Sequence, residues 1–148
     1  MSIKYFSELS ETEVAQLIKA PAVITALIAG ADGEIDQKEE AWGARLVNYR
    51  TFTSDVKLHE YYEQVNELFE GHLKGLVAGW NAGSSETLTG EVTALKEVLT
   101  KVDGEYADLL KASWRSLAKK IAEADGGFLG FGSIDKAEAA LIDLPMLD

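Results

Sequence analysis

Apolar residues recur at three- and four-residue steps along most of the chain, which is the spacing of one buried helix face. The pattern is clearest at Tyr62, Val65, Phe69, Leu73, Leu76 and Trp80. The only prolines are Pro21 and Pro145, and residues with high helix propensity dominate between them. No segment longer than a few residues shows the strict apolar alternation of a half-buried strand. The sequence therefore predicts an all-α protein.

Start and stop signals divide the chain into seven predicted helices. Ser10 with Glu13 has the spacing of a capping box, and Pro21 suits the first turn of the next helix. The seven helices are predicted at about residues 10–19, 21–31, 36–51, 55–80, 86–102, 105–124 and 135–145. The second is apolar on nearly all sides, which predicts a central position. Short links favour antiparallel neighbours, so residues 1–148 are expected to form one compact bundle.

One phrase occurs twice in the chain. Residues 28–39 read Ile-Ala-Gly-Ala-Asp-Gly-Glu-Ile-Asp-Gln-Lys-Glu, residues 121–126 read Ile-Ala-Glu-Ala-Asp-Gly, and residues 134–138 read Ile-Asp-Lys-Ala-Glu. The insert Gly-Phe-Leu-Gly-Phe-Gly-Ser, residues 127–133, separates the halves of the second copy. Because each copy joins two predicted helices, the repeat predicts two helix–loop–helix units with pseudo-two-fold symmetry. Such symmetry would bring the two acidic loops to comparable places.

Both loops match the second half of the calcium-binding EF-hand pattern. In the first copy Asp32 is followed by glycine, five residues and Glu39, and in the second copy glycine and five residues precede Glu138. The first half of the pattern is missing, and the insert displaces Asp125. Neither loop could build the usual cage alone, but two half-sites could share a hard cation that takes six or more oxygens. The chain has no cysteine and only two histidines, which disfavours a zinc site.

Helix capping is the alternative explanation of the same residues. Asp36 and Asp135 suit helix N-caps, and Glu39 and Glu138 complete capping boxes. In that case the working surface would be the glycine–phenylalanine segment at 127–133, because exposed apolar patches mark interaction sites. The chain would then be a protein-interaction module without a metal.

Residues 28–40 and 121–138, above all the Gly-Gly-Phe-Leu-Gly-Phe-Gly stretch, resemble the TerB-like family of tellurite-resistance proteins. The helix layout is similar over nearly the whole chain, and the specific motifs cover about a fifth of it. The resemblance implies an all-helical domain, a role in resistance to tellurite and other stresses, and divalent-cation binding by acidic loop residues. Carried over by position, the implied ligands are Asp32, Glu34, Asp36, Glu39, Asp125, Asp135 and Glu138.

The charge balance limits the partners. Fourteen basic residues stand against 25 acidic ones, a net charge of −11. Such a surface repels the phosphates of nucleic acids and attracts cations or basic proteins. The N-terminal residues have no signal-peptide pattern, and the strongly apolar run near residues 20–31 is shorter than the roughly 20 residues of a membrane span. We expect a cytoplasmic protein without membrane insertion, whose protein partner could be membrane-associated.

No catalytic constellation is evident in the sequence. It has no Ser-His-Asp or Cys-His set, no Glu-x-x-His motif and no phosphate-binding glycine pattern. A metal-dependent enzyme therefore has the least support. The expectation is a non-enzymatic stress-response protein that binds a divalent cation, with calcium first and magnesium or manganese as alternatives.

Overall fold

The computed structural model describes residues 4–30, 56–81, 83–127 and 144–147, with the backbone alone at 123–127. These residues contain no strand, so the all-α prediction is confirmed for them. Their α-helices are α1 (Glu11–Ala29), α2 (His59–Ala78), α3 (Ser84–Leu99) and α4 (Gly104–Gly127). Short 3-10 helices occupy Lys4–Phe6, Val56–Leu58 and Pro145–Leu147.

The capping box predicted at the start of α1 is present. The Glu13 backbone N–H donates to Ser10 Oγ at 3.1 Å, and the Ser10 N–H donates to Glu13 Oε1 at 3.0 Å. These bonds satisfy two backbone donors that the first helical turn leaves without partners. Helix α4 is capped similarly, because the Tyr106 N–H donates to Asp103 Oδ2 at 3.2 Å.

The predicted helix boundary at Pro21 is wrong. Helix α1 continues through Pro21 without a break, so the first two predicted helices are one. Proline has no N–H to donate to the carbonyl four residues earlier, which belongs to Leu17. The Tyr61 hydroxyl donates to that carbonyl instead, at 2.6 Å in the buried core. A hydroxyl from a distant helix thus replaces the missing backbone bond and lets the helix continue.

Helix α1 is the centre of the bundle, as its all-round apolar sequence predicted. Every residue from Leu17 to Ala29 except Lys19 is buried, and α1 packs against the three other helices. The predicted inward residues of α3 and most of those of α2 and α4 are also buried. Leu76, Trp80 and Leu109 are only half-buried against the core.

Contacts between helices show their relative directions. The Tyr5 and Tyr106 rings stack at 4.1 Å and Phe6 meets Tyr61 at 6.2 Å, so α1, α2 and α4 begin at one end of the bundle. Trp80, just after α2, lies against Gly30, just after α1, so these helices also end together. Helix α3 runs the opposite way. We call the end where α1, α2 and α4 begin the proximal end and the other the distal end.

Ion pairs between α1 and α3 fix the direction of α3. Lys19 faces Glu91 at 3.8 Å, and Lys101, just after α3, meets Glu13 near the start of α1 at 2.7 Å. Helix α3 is therefore antiparallel to α1. The short links on either side of α3 join it to antiparallel helices, while its main packing partner is α1.

The seven-helix bundle with an internal repeat stays a prediction. Most of the predicted helices at 36–51 and 135–145 falls outside the described residues, which include four α-helices. One predicted end is wrong, because helix α4 continues three residues past 124, to Gly127. Pro145, the predicted end of the last helix, begins a 3-10 helix.

The continuity of α1 also changes its length. With 19 residues and a mean hydropathy of 1.4, α1 is long and apolar enough to cross a membrane, which the shorter predicted helix was not. Two thirds of that window, 67%, is buried inside the bundle. The central helix of a folded domain has the same length and composition, so this resemblance to a span carries little weight.

Candidate functional site at the distal end of the bundle

The structure describes only one of the seven predicted ligands. Asp125 lies in the last turn of α4, where the backbone alone is described. The other six, Asp32, Glu34, Asp36, Glu39, Asp135 and Glu138, lie outside the described residues. The helices that lead into the two acidic loops, α1 and α4, are described.

Those helices end at the same place. Gly30 closes α1 through its N–H, which donates to Ala26 O at 2.9 Å, and Asp32 follows two residues later in the sequence. Helix α4 runs in the same direction as α1, and its last turn contains Asp125. Tyr61 bonds to both Leu17 of α1 and Trp114 of α4, so these two residues lie at a similar height. From there the chain continues 13 residues to Gly30 and 11 residues to Asp125, which correspond to rises of about 20 and 16 Å. Both chain segments thus reach the distal end at similar heights.

The distal end has a favourable electrostatic character for cations. The described C-terminal turns of three helices, α1, α2 and α4, lie there, and a helix C-terminus carries about half a negative charge. A carboxylate such as Asp125 is unfavourable at a helix C-terminus unless a cation accompanies it. The N-terminus of α3 partly offsets this field, since it brings the opposite partial charge.

A groove opens beside these helix ends. Its volume is about 250 Å³, and it lies between the end of α2 and the start of α3. In the part of the chain that the structure describes, its larger apolar lining residues are Leu76, Trp80 and Leu88, and its only charged one is Glu91. The Trp80 ring occupies the space above Gly30, where a Cβ would overlap Cζ2 and Cη2. The groove therefore adjoins the point where the chain leaves α1 for the first acidic loop.

Buried aromatic hydroxyls lie toward the other end and have a structural role. Tyr61 accepts a bond from Trp114 Nε1 at 3.1 Å while donating to Leu17, and Tyr62 bonds to Ser113. Burial, first of all, raises the pKa of Tyr61 well above its ordinary value, so the hydroxyl stays protonated. A phenol that stays protonated and makes two hydrogen bonds cannot act as a general base. Its hydrogen bonds instead connect three helices, α1, α2 and α4.

The described residues hold no ready metal cluster. No group of three histidine or acidic side chains is gathered among residues 4–30, 56–81, 83–122 and 144–147. His72 is half-buried, and its Nδ1 has no hydrogen-bond partner in this part of the chain. Burial, and then the nearby Lys19 ammonium, lower the pKa of His72, which favours the neutral imidazole.

Neither the groove nor the Tyr61 hydrogen bond was predicted from the sequence. The sequence did contain a signal for the groove. Gly75 and Gly79 interrupt an otherwise regular helix pattern just before Trp80, and glycine inside a helix often marks a special contact. Nothing in the sequence pointed to Tyr61, because a bond across 44 positions depends on the packing of two helices.

Comparison with known proteins gave no relatives. No protein-family model, no curated protein and no solved structure matched the chain.

Proposed function

We propose that the chain is a non-enzymatic, TerB-like stress-response domain that binds a divalent cation between its two acidic loops. The observation that supports this most is the shared direction of α1 and α4. Both helices end at the distal end of the bundle, and each leads into one copy of the repeated acidic phrase. The seven predicted carboxylate ligands in the two copies are more than enough for a hard cation.

Electrostatics supports the same proposal. Three helix C-termini and a net charge of −11 favour a cation at the distal end. Oxygen ligands alone suit calcium best, with magnesium or manganese as alternatives. A cytoplasmic location and a link to tellurite resistance belong to the proposal through the family resemblance.

A melting experiment tests the proposal. Full-length, chelator-treated protein is heated with calcium, magnesium, manganese or zinc at millimolar concentration. A ligand at 100 times its dissociation constant stabilises the fold by about 2.7 kcal/mol. For a domain of this size that raises Tm by roughly 5–10 °C. No shift with any of the four metals would refute the proposal.

The second candidate function is a protein-interaction module, and the groove beside Trp80 favours it. That surface exists among the described residues without any metal, and it combines apolar side chains with one carboxylate. Under this alternative the acidic loops are helix caps only. Partner binding that is unaffected by chelator, in a protein that no metal stabilises, would select it.

A further inference from the structure

The groove at the distal end has the chemistry to bind a positively charged group. Of the described residues that line it, Glu91 alone is charged, and none is basic. The Glu91 side chain is 44% exposed, and its contact with Lys19 Nζ is long at 3.8 Å. Ion pairs this exposed contribute little, so Lys19 can be displaced at small cost. The carboxylate also has further lone pairs that can accept hydrogen bonds.

Of the other polar side chains that line the groove, Asn81 and Ser84 are already engaged, and Thr87 adds an uncharged hydroxyl. The Asn81 N–H donates to Ser84 Oγ at 2.9 Å, and the Gly83 N–H donates to Asn81 Oδ1 at 2.8 Å. These bonds hold the turn between α2 and α3 and use the acceptors that a ligand would otherwise meet. Glu91 is therefore the main polar anchor that the groove offers.

Trp80 provides the second element of recognition. Its indole lines the groove while its Cζ2–Cη2 edge covers Gly30, a contact that limits its movement. Gly75 and Gly79, which also line the groove, leave space beside the ring because they have no side chains. An aromatic ring and a carboxylate in one groove suit a guanidinium group, which stacks on aromatic rings and pairs with carboxylates in two bonds.

We propose that this groove binds an arginine side chain from a basic segment of a partner protein. The net charge of −11 would draw such a segment toward the surface, and Trp80 and Glu91 would fix the arginine there. Arginine is preferred to lysine because the flat guanidinium serves both groups at once. None of the described residues that line the groove belongs to the acidic loops, so the cation proposal can fail while this one holds.

The test is a titration of the full-length, chelator-treated protein with the peptide acetyl-Gly-Arg-Gly-amide, followed by the indole N–H signal of Trp80 in NMR spectra. The matched probe replaces arginine with citrulline, which keeps the shape and loses the charge. The arginine peptide should shift the Trp80 signal in a saturable way, and the citrulline peptide should bind about fivefold more weakly.

Two acidic residues of α3 provide matched variants. Glu91→Gln removes the carboxylate in the groove, and Glu97→Gln removes an exposed carboxylate outside the groove lining. Each changes the net charge equally. We expect Glu91→Gln to weaken arginine-peptide binding about fivefold and Glu97→Gln to leave it within about twofold.

Two glycines of α2 provide a second pair. Nothing lies within 4 Å of a Cβ built at Gly75, which lines the groove, or at Gly71, which does not. Gly75→Leu should fill the groove and abolish the Trp80 shift, whereas Gly71→Leu should preserve it. Circular dichroism shows whether each variant folds. If Gly75→Leu does not fold, the comparison of Glu91→Gln with Glu97→Gln still tests the proposal.

Several results would overturn the proposal. One is the absence of a Trp80 shift at about 20 mM peptide, a concentration well above the millimolar dissociation constant of one weak contact. Another is equal weakening of peptide binding by Glu91→Gln and Glu97→Gln. Equal binding of the citrulline peptide would show that charge is not recognised.

Discussion

Removing the Tyr61 hydroxyl should reveal how α1 passes through Pro21 without a break. Tyr61→Phe deletes one oxygen that donates to Leu17 O at 2.6 Å and accepts from Trp114 Nε1 at 3.1 Å. Leu17, Tyr61 and Trp114 are each 0% exposed, so water cannot replace the lost partner. The variant therefore leaves one buried carbonyl and one buried indole N–H without hydrogen bonds.

The size of the effect follows from those two groups. An unpaired buried donor or acceptor costs about 1–3 kcal/mol, so the two together should lower the free energy of unfolding by about 3 kcal/mol. With a urea m-value of about 1–3 kcal/mol/M, the unfolding midpoint should fall by roughly 1–3 M. Urea unfolding followed by circular dichroism measures both quantities.

Tyr106→Phe is the matched control. Tyr106 is as deeply buried as Tyr61, but its hydroxyl has no hydrogen-bond partner in the described part of the chain. Deleting that oxygen removes a buried polar atom without orphaning another, so we expect a change within about 0.5 kcal/mol or a modest gain in stability. The same chemical substitution should thus have opposite consequences at two positions of one core.

A double-mutant cycle separates the Pro21 effect from general packing. Pro21→Ala restores a backbone N–H that can donate to the Leu17 carbonyl. In that background Tyr61→Phe should cost about 1–2 kcal/mol less than in the wild type. The explanation is wrong if Tyr61→Phe costs no more than Tyr106→Phe, or if its cost is the same with and without Pro21.

Two further predictions concern the ends of α1. Gly30→Ala should lower stability by about 1–3 kcal/mol in urea unfolding, because the new methyl overlaps the Trp80 ring. Gly71→Ala, in open space on α2, should instead add about 0.5–1 kcal/mol, and equal effects of the two would contradict the Trp80 contact. At the proximal end, the Lys101 ammonium and then the Ser10 N–H lower the pKa of Glu13 below 4.5. The Glu13 ion pair therefore stabilises the fold above about pH 4.5 and loses this effect as the pH falls through the lowered pKa. Stability curves of the wild type and Glu13→Gln should converge at low pH, and a constant difference down to pH 2 would refute this assignment.

The sequence was sufficient wherever one helix determines its own structure. The capping box depends on two residues three positions apart, Ser10 and Glu13, and it forms as predicted. The apolar faces of α2, α3 and α4 follow from the 3.6-residue period, which is a property of each helix alone. The central position of α1 followed from its apolar residues in the same way.

The sequence was insufficient wherever a distant residue decides. Pro21 is a valid helix start by local rules, and only the hydroxyl of Tyr61, 44 residues from Leu17, makes it an interior residue. The groove similarly depends on how α2 and α3 meet, although Gly75 and Gly79 give a local hint. The acidic loops illustrate a different limit, since capping and cation binding call for the same residues at the same spacing.

Calorimetric titration with calcium tests the proposed function most directly. The comparison includes the wild type, Asp32→Asn, Asp125→Asn and Asp108→Asn, the last an exposed residue of α4 outside the predicted ligand set. We predict saturable binding that Asp32→Asn and Asp125→Asn each weaken at least about tenfold, the effect of losing even an outer-shell partner of a metal ligand, and that Asp108→Asn leaves unchanged. Absence of heat with calcium, magnesium and manganese, or equal weakening in all three variants, would contradict a cation shared by the two loops.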